Sequence, residues 1–187
     1  WSDLKHLEFG YHFNKPIIGI AWLTLKHLEL GHEFNQRIVG VAMPEIEHLV
    51  FGAKFDKPIV GASWTKLKHL KFGGNKLGDF SYFNRPILGV HLPEIEFLEL
   101  GYGFNRDIVG VSWPKLKHLE LGCNFNRDIV GVSWPSIKHL EFGGNFNCEI
   151  AGVAMPEIEH LVFGCYFNKP IVGVSWPSIK HLEFGSN

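Results

Sequence analysis

Three cysteines cannot all pair within one chain, and they are too few to staple a fold of 187 residues. Free thiols are therefore expected. Neither sign of charge is in excess. The formal net charge of −1 lacks the basic surplus that draws a protein to nucleic acid or to an anionic membrane surface. No apolar run is long enough to span a bilayer, and no signal-peptide pattern is present. No Asn-x-Ser/Thr sequon occurs. Unpaired thiols without sequons point to a cytoplasmic protein, or to an extracellular one if it forms filaments. Nor is there a nucleophile–base pair, a phosphate loop or a Cys/His metal motif. The Gly-Gly-Asn runs at 73–75 and 143–145 suit chain corners rather than a phosphate cradle. The expectation is a protein that is not an enzyme, with no catalytic residues, no cofactor and no metal site.

What the chain has is repetition. Units of 21 residues begin at 1, 22, 43 and 64 and, after a seven-residue insertion, at 92, 113, 134, 155 and 176. A fixed period of this size is the signature of a solenoid in which each unit is one coil and touches only its neighbours. The whole chain, 1–187, reads as one solenoid. Counted from column 1 of each unit, the consensus is W-P-x-[LI]-[KE]-H-L-E-[FL]-G-x-x-F-N-[KR]-x-I-V-G-V-S. Columns 7 and 9 are two apart, so L-x-[FL] is a short strand with both side chains inward and columns 6 and 8 outward. Stacked coils then form a parallel sheet. Gly fills column 10 in nine units and column 19 in eight, marking corners or close backbone approach. Phe in column 13 should stack as an aromatic spine, and Asn in column 14, replaced once by Asp56, as a hydrogen-bonded ladder. Cys123 and Cys165 share a column two coils apart, roughly 10 Å at strand spacing, beyond disulfide reach.

The columns resemble the FNIP-type leucine-rich repeat family along essentially the whole chain. The naming motif appears as FNKPI at 13–17 and 167–171, FNRPI at 83–87 and FDKPI at 55–59. It departs to FNQRI at 34–38, FNRDI at 104–108 and 125–129, and FNCEI at 146–150, losing Pro but keeping Phe and Ile. The resemblance implies a leucine-rich-repeat-like solenoid used for protein contacts, with no catalytic residues to carry over.

Columns 17 to 20 and the following column 1 are nearly all apolar, as in IVGVSW at 129–134. Two placements are open. The chain kinks at the column 19 Gly and buries everything, or a second strand exposes columns 18, 20 and 1. The second makes Trp22, Trp64, Trp113, Trp134 and Trp176 a candidate self-association stripe. It also equalises the two sides of each coil, so a nearly straight, all-β-rich stack with little or no helix is expected, roughly 40 Å long.

Column 6 holds His6, His27, His48, His69, His118, His139, His160 and His181, with Phe97 in the remaining strand-bearing unit. Column 8 is mostly acidic and includes Glu8, Glu29, Glu120 and Glu141. A uniform row of His suits a solvent-facing ladder better than a metal site, which needs convergent geometry. Where column 5 turns acidic, at Glu47 and Glu159, Lys stands on both adjacent coils; this is the pattern of cross-strand pairing that fixes register, though an ordinary solvated face is the favoured reading because exposed pairs contribute little each. The insertion loop, 74–82, carries Leu77, Phe80 and Tyr82 and is the one non-repeating feature. The candidate interaction surface is this strand face with the loop. Its expected occupant is a protein partner or another copy of the chain, with no nucleic acid and no membrane insertion. Neither end of the sequence shows a polar cap, so both ends are expected to be covered, which favours self-association.

Overall fold

The computed structural model describes residues 2–73 and 80–185. Its regular structure is one sheet of nine parallel strands in chain order. These are β1 (His6–Glu8), β2 (His27–Glu29), β3 (His48–Phe51), β4 (His69–Phe72), β5 (Phe97–Glu99), β6 (His118–Leu121), β7 (His139–Phe142), β8 (His160–Phe163) and β9 (His181–Phe184). The register is the sequence period: His6 pairs His27, Leu28 pairs Leu49, and Leu119 pairs Leu140. Across the insertion the offset changes but the columns do not, because Leu70 pairs Leu98. Among the described residues no helix is long and apolar enough to cross a membrane.

The remainder of each coil is made of tight turns. The column 4 N–H donates to the column 1 carbonyl, as from Leu116 to Trp113 at 3.2 Å. Pro at column 2 occupies the second position of that turn, where its fixed φ is suited. A second turn closes from Phe125 N–H to Gly122 O at 3.0 Å. The third closes from column 20 to column 17, as from Val132 N–H to Ile129 O at 3.1 Å. Its third residue is the column 19 Gly, with φ of 80° at Gly131, which is the type II geometry that disfavours a side chain.

That third turn decides between the two placements of the apolar run. The second residue of such a turn projects outward, so column 18 is exposed: Ile18, Val60, Val109 and Val130 face solvent. The chain then turns back. Column 20 is buried at Val41, Ala62, Val132 and Val153, and column 1 is core. Trp22, Trp64 and Trp113 are 4% exposed and Trp134 is 1% exposed, while Trp176 is partly covered. The expected Trp stripe on the surface is therefore corrected: these indoles fill the interior. The second strand is corrected too. Its place is taken by single-residue bridges such as Ala21–Ala42 and Ser133–Ala154.

The core runs the length of the sheet and is built from columns 1, 4, 7, 9, 13 and 17. Phe34 and Phe55 stack at 6.2 Å and Phe104 and Phe125 at 6.1 Å, with rings within 9° of parallel. Beside this spine runs the polar ladder. Asn126 N–H donates to Asn105 Oδ1 at 3.1 Å and Asn147 N–H to Asn126 Oδ1 at 2.9 Å, and the run passes through Asp56 unbroken. Each side chain thus satisfies a corner N–H that no strand partner can reach. The insertion leaves this corner intact. Tyr82 N–H donates to Ala53 O at 2.8 Å and Gly103 N–H to Ser81 O at 2.8 Å, so the ladder of coil-to-coil bonds resumes by residue 81. The three cysteines are free thiols.

Candidate binding face

Period-2 alternation turns columns 6 and 8 out of the sheet, and the rigid frame beneath holds them at strand spacing. The column 6 rings stack face to face. His6 and His27 lie 4.2 Å apart, His69 and Phe97 4.2 Å, Phe97 and His118 4.3 Å, and His118 and His139 4.3 Å. His48 follows His27 at 5.7 Å, and His160 and His181 stand 5.8 Å apart. Phe97 therefore continues the row rather than breaking it. Loss of solvent, with the charge of His48 adding, pulls the His69 imidazole down to about 4. The same cause lowers His27 and His139.

The charges flank this row as the column 5 pattern suggests. Glu47 sits between Lys26 at 2.6 Å and Lys68 at 3.2 Å, and their hydrogen bonds hold its carboxyl at about 2. Glu159 is held the same way between Lys138 and Lys180. Reading columns 5 and 8 alone missed a further set in column 3, where Lys66 meets Glu45 and Lys115 meets Glu94, each at 2.6 Å. The alternation Glu45, Lys66, Glu94, Lys115 was the available signal. The lysines of these pairs are exposed and the carboxylates of Glu47 and Glu159 partly so, and exposed pairs of this kind add little stability each.

Column 8 differs from coil to coil. Glu8 and Glu29 stand in register on the first two strands. Glu99, Glu120 and Glu141 form the longer row on β5, β6 and β7. Lys71 reaches Glu99 at 2.8 Å, and His118 Nε2 meets Glu120 Oε1 at 2.6 Å. That bond lowers the Glu120 carboxyl. Loss of solvent raises Glu99, and it raises Glu141 with the charge of Glu120 adding. These three carboxylates line a groove of about 400 Å³ together with Gly101, Gly122 and Gly143, and Phe80 and Tyr102 stand at its side. Phe80 packs edge-on against Tyr102 at 4.7 Å, and both Phe80 and Tyr82 are more than 60% exposed. Leu77 lies outside the described residues. The structure thus places Phe80, Glu120, Glu141 and His118 in one neighbourhood. His6, Glu8 and Glu29 lie toward β1, and His160 and His181 toward β9. His118, Glu120 and His139 bring a ligand atom each to within 4.8 Å of one another, a convergence that the uniform row did not announce.

No family model matches the chain, and no curated protein matches it significantly. A solved structure is similar along nearly the whole length. It is CroV588, described as a novel circular leucine-rich-repeat protein, with 34% identity and a TM-score of 0.82 over 97% of this chain. This chain spans 30% of the length of that one. Parallel coils of 21 residues, a core of Leu and Phe columns and this likeness together give the chain a leucine-rich-repeat-like β-solenoid fold.

Proposed function

We propose that the chain is a non-catalytic repeat scaffold of the FNIP type that binds another protein through its strand face. The observation that carries this reading is the face itself. The sheet carries His6, His27, His48, His69, His118, His139, His160 and His181 beside Glu8, Glu29, Glu120 and Glu141, the exposed Phe80 ring lines a groove with Glu120 and Glu141, and Tyr82 is exposed at the adjoining corner. Aromatic anchors beside a charged surround are the composition of a protein-binding patch. Leucine-rich-repeat solenoids typically serve as scaffolds, which agrees. The test is a comparison of captured proteins. Phe80→Ser with Tyr82→Ser should lose a partner that Val109→Ser with Val130→Ser, on the turn side, retains. Equal retention by both pairs would remove the strand face from the account.

A second reading is self-assembly, coil stacked on coil between copies, as like repeats with parallel strands permit. A circular array is the form described for CroV588. Light scattering across a hundredfold dilution separates the cases. A mass that stays at one chain throughout would exclude stacking of copies.

A further inference from the structure

The column 8 row concentrates negative charge where the sheet can least accommodate it. Glu99, Glu120 and Glu141 are direct neighbours on adjacent strands, and like charges so placed destabilise a sheet. Lys71 offsets one of them, yet Glu141 has no ion-pair partner among the described residues. Two imidazoles stand over the same spot. His118 already touches Glu120 at 2.6 Å, and the His139 ring lies 4.3 Å from that of His118.

We propose that His118, Glu120 and His139 form a binding site for one divalent transition-metal ion of the zinc class, with water completing its shell. Two imidazole nitrogens and one carboxylate oxygen suit Zn²⁺, Co²⁺, Ni²⁺ or Cu²⁺, whereas Ca²⁺ and Mg²⁺ take oxygen ligands. Among the described residues this is the one set of three such groups that converges within 4.8 Å. Bonds of about 2.0–2.2 Å in a tetrahedral shell put ligand atoms roughly 3.4 Å apart. The His118–Glu120 contact therefore opens slightly as the ion replaces the shared proton. The two rings lie within 5° of parallel, so their lone pairs run side by side. One ring tilts out of the stack to meet the ion, a side-chain movement that its partly exposed position allows.

Side-chain placement limits the site to this coil among the described residues. One coil earlier Phe97 stands where a ligand would be, and two coils later the column 8 residue is Val162. His6, Glu8 and His27 repeat the residue types with rings 4.2 Å apart, but their ligand atoms do not converge within 4.8 Å. His139, Glu141 and His160 have the right types, but the two rings are 6.0 Å apart. Glu99 and Glu141 contribute negative potential without ligating.

The test is titration of the metal-free protein with ZnCl₂ by calorimetry, together with the absorption and NMR spectra of the Co²⁺ form. One ion per chain is expected. Glu120→Gln and His139→Ala should each weaken binding at least ~10-fold, the effect that loss of even a supporting group produces. His160→Ala should leave it unchanged. In the unaltered chain, paramagnetic broadening by Co²⁺ should centre on the His118 and His139 ring protons, a readout that stands even if a variant fails to fold. Absence of saturable uptake would overturn the proposal. So would several weak ions whose broadening spreads evenly along the His row, the behaviour of an exposed ladder with no particular site.

Discussion

Replacing Gly122 with Ala and replacing Gly131 with Ala add the same methyl group at two corners of one coil. The structure gives the two changes different physics. A Cβ on Gly122 would overlap the Gly101 carbonyl and come within 2.7 Å of Tyr102 N. The obstacle is the backbone of the preceding coil, so no rotamer relieves it. The coils must separate at that corner, which strains the flanking bonds from Leu100 N–H to Glu120 O at 3.0 Å and from Asn124 N–H to Tyr102 O at 3.0 Å. Overpacking costs about 1–3 kcal/mol, and two coil-to-coil hydrogen bonds add about 1 kcal/mol each. The expected loss is therefore ~4 kcal/mol. At Gly131 nothing lies within 4 Å, but φ is +80°. Only the left-handed conformation is penalised there, about 1–2 kcal/mol. Urea unfolding followed by circular dichroism, with unchanged m-values, measures both. Because repeat arrays can lose cooperativity, hydrogen exchange of the β5–β6 amides should accompany it. Equal losses, or a smaller loss at Gly122, would show that column 10 is not where the backbones meet.

Three further outcomes are expected. The His69 imidazole, held near 4 by burial, takes up its proton less readily folded than unfolded, so stability falls as pH drops from about 6.5 toward 4. His69→Phe, which repeats the chemistry of Phe97 in the same row, should narrow that fall, and its urea midpoint should exceed the unaltered protein's by more at pH 5 than at pH 7.5. Asn126→Ala removes the acceptor for Asn147 N–H and should cost ~1 kcal/mol in the same unfolding assay; no loss would mean that the ladder is ornamental. Buried indoles at Trp22, Trp64, Trp113 and Trp134 should give blue-shifted emission that acrylamide quenches weakly, and strong quenching would return column 1 to the surface.

Most of the fold was legible because each structural role repeats at the same column. Leu7, Leu28 and Leu49 announce the strand, and Phe34, Phe55 and Phe83 announce the spine, since every copy repeats the same burial demand. Column 1 misled because alternation applies to a strand. Between Ile129 and Val132 the chain makes a turn instead, and a turn can send Val130 out while bringing Val132 and Trp134 in. The glycines of column 19 carried that information, for a positive φ at the third residue of a turn selects Gly. Convergence at His118, Glu120 and His139 was not legible, because His6, Glu8 and His27 offer the same types in the same columns with rings 4.2 Å apart, and only the placement of the side-chain ligand atoms separates the two sets.

The account rests on coils stacked so that residue i faces residue i + 21. Methyl NOEs in a Leu-labelled sample test this directly. Leu119 should show contacts to Leu98 and to Leu140, its neighbours in column 7. Contacts from Leu119 to residues of any other column on those strands, with none to Leu98 or Leu140, would contradict it.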